Sequence, residues 1–148
     1  MTLIPSFIQA LYPKANDFGY EKFSYYREDD ESLITIPSFF DNEKITFALD
    51  TGATHSVIDL TRLLLAGYDM TDAVATISLE SAKGEVQGYI FKIHSLKALG
   101  IHYQEVEVCA YDFLANNILT EIDGVLGLDF FKNEKLCIDF EKSEITIR

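Results

Sequence analysis

The 148-residue sequence has no tryptophan, two cysteines, three prolines and half as many basic as acidic residues. Each shortage excludes something. Twelve Lys and Arg against twenty-four Asp and Glu leave a net charge of −12. Binding to nucleic acid rests on basic groups displacing counterions from phosphates, and no basic cluster exists to do so. A nucleic-acid partner is therefore not expected, and the acidity also discourages adhesion to anionic membranes. No apolar run approaches the roughly 20 residues of a membrane-spanning helix. The start of the chain lacks a basic segment, and Pro5, Gln9 and Pro13 interrupt its apolar stretch, so it does not read as a signal peptide. A cytoplasmic location is the resulting expectation. Cys109 and Cys137 lack the CxxC spacing of a metal or redox site. They could form one bridge, but two isolated thiols in apolar, strand-like stretches read better as small buried hydrophobes in a reducing compartment. His94 and His102 stand far from any Cys or carboxylate spacing that would suggest zinc, so no metal site is expected.

What is present suffices for one folded domain. Hydrophobic residues make up 48% of the chain, and eight Tyr and eleven Phe supply the large apolar side chains. A chain of this size buries about 68–70% of its unfolded surface. Residues 1–31 differ from the rest and read as an N-terminal extension. Pro5 followed by Phe7, Ile8 and Leu11 suggests one short helix. Residues 20–27 are strand-like, and Glu28-Asp29-Asp30-Glu31 suits a solvated turn. The main domain is placed at 32–148.

From Ser32 onward the pattern is mostly β. Residues 33–39 and 44–49 are rich in β-branched and aromatic residues, with Asp41-Asn42 as the turn between them. Ile45, Phe47 and Leu49 alternate with Thr46 and Ala48, the period of a half-buried strand. A helix is expected over 60–67, capped by Asp59 or Thr61 and ended by Gly67. Strands at 74–79 and 86–93 flank a hairpin bend at 80–85 that needs Gly84. In 104–111, Val106, Val108 and Ala110 alternate against Glu105, Glu107 and Cys109. A short strand at 122–126 precedes a brief helix through Phe130-Phe131-Lys132 with Asp129 as its cap. A hairpin across Glu141-Lys142-Ser143 closes the chain. Many short strands with two or three short helices indicate an all-β, barrel-like domain.

The chemistry concentrates where the apolar strand runs into Asp50-Thr51-Gly52-Ala53. A carboxylate at the end of a rigid strand is held in place, and glycine permits a tight turn where another segment comes close. Alone, such a triplet equally describes an ordinary turn after a strand. Three features extend it: the run from Phe47 to Ile58, a hairpin with Gly84 near its tip, and Asp123-Gly124-Val125-Leu126-Gly127 before a short helix. In this order the parts resemble the retropepsin-like aspartic peptidase family over residues 33–148.

The resemblance implies a closed barrel of the acid-protease fold, one lobe per chain. It implies that Asp50 is catalytic, with Thr51, Gly52 and Ala53 supporting the active-site loop. Ser81, Ala82, Lys83, Gly84 and Glu85 would form a flap over the substrate, and Val125, Leu126 and Gly127 a second element crossing behind the loop. Acid–base cleavage of a peptide through water needs two carboxylates, and only one such triplet is present. A homodimer acting as an aspartic endopeptidase on a peptide or protein substrate follows, with Asp50 beside its symmetry mate and no metal or organic cofactor required. The rival reading is a catalytically silent dimer of the same fold that binds peptides or a partner protein. The flap has a single glycine where viral members are glycine-rich, and the terminal hairpin at 135–148 resembles bacterial and cellular members.

Overall fold

The computed structural model describes residues 21–27, 33–81, 84–118 and 120–148. The expected N-terminal helix, the acidic turn at 28–31 and the flap residues Ala82 and Lys83 lie outside the described residues. The chain divides into two units. One takes, of the described residues, 21–27, 33–34 and 131–148; the other is Thr35–Phe130.

In the first unit, β1 (Glu21–Ser24), β9 (Leu136–Asp139) and β10 (Glu144–Ile147) form an antiparallel sheet in the order β1-β10-β9. Ser143, at a φ of 53°, turns β9 into β10. Ile145 and Ile147 are buried, on the alternate positions expected for one face of a strand. Cys137 is exposed, contrary to its expected burial. The reason is strand period: Leu136 and Ile138 are the half-buried positions of β9, and Cys137 shares the outward face with Asp139.

The second unit carries the barrel. Its strands are β2 (Thr35–Phe40), β3 (Glu43–Leu49), β4 (Val57–Asp59), β5 (Ala73–Ser81), β6 (Gly84–Ala98), β7 (Ile101–Tyr111) and β8 (Gly124–Leu126). Pairing runs β2-β3-β8-β4-β7-β6, and a further β6–β2 pairing closes the ring into a six-strand barrel. β5 stands outside the ring, hydrogen-bonded to β6 as the other arm of a long hairpin. Pro37 sits in β2 ahead of the segment, Ser38 to Phe40, that pairs with β6, so its missing N–H falls where only β3 is a neighbour. Ile36, Ser38 and Phe40 point inward, as do Ile45 and Phe47 of β3. Two tight turns set the registers: Asp41 with a φ of 53° between β2 and β3, and Leu99-Gly100, both with positive φ, between β6 and β7.

α1 (Leu60–Leu65) follows β4 directly. Asp59 caps it by accepting from the Thr61 N–H at 3.4 Å, and Gly67, at a φ of 104°, lets the chain leave the helix. The β5–β6 hairpin is longer than its sequence pattern suggested, with Ser81 paired to Gly84 at the tip. At the end of β7, Val108, Cys109 and Ala110 are all buried, so Cys109 does not share the solvent face of Glu105 and Glu107. There the hairpin folds over that second face, and Cys109 joins Val57, Leu79, Val86 and Phe113 in a small apolar cluster. Burial, with the charges of Asp129 and Glu107, pushes its thiol pKa up to about 11. Among the described residues, no helix is long and apolar enough to cross a membrane.

Candidate active site

β8 lies between β3 and β4, parallel to the first and antiparallel to the second. Leu49 at the end of β3 pairs with Leu126 at the end of β8. The chain leaving β3 at Asp50 must therefore arch over the end of β8 before it can return as β4. That arch is the loop from Asp50 to Ser56, and topology forces it against Gly127.

The loop is tied to β8 and its continuation at successive points. The Asp50 N–H donates to the Leu126 carbonyl at 3.0 Å, the Leu128 N–H to the Ala53 carbonyl at 2.8 Å, and the Asp129 N–H to the Thr54 carbonyl at 3.3 Å. A side chain at Gly127 would put its Cβ 2.6 Å from the Ala53 carbonyl oxygen and 2.8 Å from that of His55. Backbone on both sides leaves nothing flexible to move. Gly124 is still tighter, with a Cβ position 2.0 Å from the Val57 carbonyl oxygen. Both glycines are there for space, and Gly124, quoted in the run Asp123-Gly124-Val125-Leu126-Gly127, had been given no role of its own.

Within the loop, the Asp50 carboxylate turns back on its own backbone. Oδ1 accepts the Gly52 N–H at 2.9 Å, and the Asp50 carbonyl accepts the Ala53 N–H at 3.1 Å. A Cβ at Gly52 would sit 3.2 Å from that same Oδ1, so glycine keeps the carboxylate in this pose. Asp50, Thr51 and Gly52 are exposed at the top of the arch.

Above it opens a cleft of about 460 Å³. Asp50, Gly52, Ala53, Thr54 and His55 form one wall; Ser78, Leu79 and Glu80 of β5 form the other; Val57, Tyr111 and Val125 line the remainder. Of the residues singled out from the sequence, Asp50, Gly52, Ala53 and Val125 thus meet in one cavity. Thr51 is exposed beside it, and Leu126 and Gly127 are buried behind the loop. Ser81 ends β5, and Gly84 and Glu85 begin β6. β5 enters the cleft wall through Ser78, Leu79 and Glu80, which precede in sequence the residues expected to form a flap. Tyr111 joins the cleft because β7 ends beside β4; burial, with the nearby charge of Asp59, raises its phenol pKa.

Asp129 is not a helix cap. It lies inside a 3₁₀ turn, Leu128–Phe131, and its carboxylate reaches back to Ser56. Among the described residues, no group of three His, Cys, Asp or Glu side chains is placed to hold a metal ion. His94 pairs with Glu105 at 3.1 Å, His102 lies 3.3 Å from the Ser95 hydroxyl, and His55 is exposed on the cleft wall.

A family model described as aspartyl protease matches residues 36–130. The crystal structure of a retropepsin-like aspartic protease from Rickettsia conorii superposes with a TM-score of 0.63 at 19% sequence identity. The match covers 86% of this chain and 90% of that one, and at this identity it speaks to the fold. None of the curated proteins matches the chain.

Proposed function

The chain belongs to the aspartyl protease family and has the retropepsin-like fold, and from that premise we propose that it hydrolyses peptide bonds as a homodimer. The observation that carries the reading is the Asp50 carboxylate, held by the Gly52 N–H at the open top of a braced arch and facing a cleft. One carboxylate cannot both take and give a proton in the same step. A second copy, related by a two-fold axis through the exposed Thr51 loop, supplies the other.

Two adjacent carboxylates do not both ionise cheaply, so the pair shares one proton. The ionised Asp50 takes a proton from a water between them, and the water oxygen bonds to the scissile carbonyl carbon. The protonated Asp50 gives its proton to the carbonyl oxygen, yielding a neutral tetrahedral diol. Breakdown returns one hydroxyl proton to the carboxylate that gave its own to the carbonyl oxygen, as the C–N bond breaks and the nitrogen takes the proton that the other carboxyl drew from water. One water is consumed, and a carboxylic acid and an amine leave. An extended peptide would lie between the arch and β5, where the flap of residues 81–85 closes over it as an added strand. Thr51 fastens the two arches to one another.

Incubation of wild type and Asp50→Asn with a peptide library across mildly acidic to neutral pH tests this. Cleavage by wild type alone is expected. No cleavage by either, with peptide binding retained, identifies a binding protein instead.

A further inference from the structure

Ser56 is 3% exposed and closes the loop that Asp50 opens. Its backbone N–H donates to both oxygens of Asp129, at 2.9 and 3.0 Å, and its hydroxyl donates to Oδ1 at 2.7 Å. An ionised carboxylate only accepts, so the single hydroxyl proton is committed to Asp129. The remaining lone pairs on Oγ accept the Gly127 N–H at 2.9 Å. The preceding carbonyl, that of Leu126, is the one that accepts the Asp50 N–H. The carbonyl of Ser56 accepts the Cys109 N–H at 3.3 Å, tying the same residue to β7. Every polar group of Ser56 is thus used, and the bonds chain Asp129 to Ser56, Ser56 to Gly127, and the adjoining peptide to Asp50. Ser38 is as deeply buried, yet its hydroxyl only donates to the Ile36 carbonyl within its own strand.

We propose that Ser56 and Asp129 are positioning residues, a charge-assisted clamp that sets where the end of β8 holds Asp50; the proposal rests on the peptidase reading above. A hydroxyl bond to a carboxylate is short and stronger than one between neutral groups. Loss of the clamp frees Gly127, and the Leu126 carbonyl then drifts from the Asp50 N–H. The cleft still binds peptide, but the two Asp50 side chains of a dimer no longer meet in register. The effect falls on kcat and spares KM.

The test uses the full chain as wild type, Ser56→Ala, Ser56→Thr and Ser38→Ala. Peptide kinetics are followed beside amide hydrogen exchange at Asp50, Gly127 and Leu128. Ser56→Ala is expected to lower kcat by about tenfold or more with KM held within about twofold. Its three amides should exchange faster. Ser56→Thr keeps the hydroxyl and should restore both; if the added methyl prevents folding, Asp129→Asn, which removes the charge from the other half of the clamp, should lower kcat and speed the three amides as Ser56→Ala does. Ser38→Ala should leave kcat and the three amides unchanged. Unaltered exchange in Ser56→Ala, or an equal loss of kcat in Ser38→Ala, overturns the proposal. Absence of cleavage by wild type sinks the peptidase reading instead, and the exchange data still decide whether the clamp holds the loop.

Discussion

Replacing Gly127 by alanine probes the crossing of loop and strand with the fewest atoms. Nothing in the backbone conformation of Gly127 demands glycine; only the space does. The new Cβ would stand 2.6 Å from the Ala53 carbonyl oxygen, about 0.8 Å short of the 3.4 Å at which ordinary contact begins. Relief requires the arch and β8 to separate by about that amount. The Leu128–Ala53 bond, now 2.8 Å, would then exceed hydrogen-bonding range, and the 2.9 Å bond from Gly127 to Ser56 would stretch with it. Overpacking of about 1–3 kcal/mol and two weakened bonds of about 0.5–1.5 kcal/mol each give a loss of about 2–6 kcal/mol. A domain with roughly 5–15 kcal/mol in total would register this plainly. Because the chain has no tryptophan, urea unfolding is best followed by far-UV circular dichroism. Gly67→Ala supplies the reference. Nothing lies within 4 Å of its Cβ position, so only its φ of +104° is violated, at roughly 1–2 kcal/mol. Gly127→Ala proving no more destabilising than Gly67→Ala would refute the reasoning.

Two further outcomes are expected. His94 titrates above the ordinary histidine range, because the hydrogen bond to Glu105 and then the charges of Asp41 and Glu105 outweigh burial. A raised folded pKa means the stabilisation is complete below the unfolded value and disappears as pH rises through the folded one. An NMR titration of the imidazole should show this, and Glu105→Gln should bring the midpoint down. On the dimer proposed above, Thr51→Ala should weaken self-association by roughly tenfold in sedimentation, since each copy would lose about one hydrogen bond of 0.5–1.5 kcal/mol.

Much of this arrangement was legible in the sequence because it is local. Alternation along Ile45, Phe47 and Leu49 marked β3, Asp59 and Gly67 bracketed α1, and Gly84 marked the hairpin bend. The Asp50 triplet and Val125-Leu126-Gly127 were grouped because their order along the chain resembles the retropepsin-like family; the triplet alone reads equally as a turn. What escaped depends on partners distant along the chain. Ser56 and Asp129 are 73 residues apart, so nothing beside Asp129 distinguished a carboxylate aimed at a buried serine from one capping a helix. The space requirement at Gly124 arises from Val57, which meets it only after β8 inserts between β3 and β4. Cys109 is buried as expected, yet alternation alone set it on the side of Glu105 and Glu107, because strand period says which residues share a side, not whether a hairpin will cover that side. Cys137 shows the same limit from the other direction, its apolar neighbours occupying the buried positions of β9.

The central claim is that two copies of Asp50 make one site. Titration of active protein with a tight-binding statine-type inhibitor, at concentrations where sedimentation finds a dimer, tests it most directly. The account predicts that activity vanishes at one inhibitor per two chains and that Asp50→Asn binds none tightly. An endpoint of one inhibitor per chain, or full activity from a strict monomer, would contradict it.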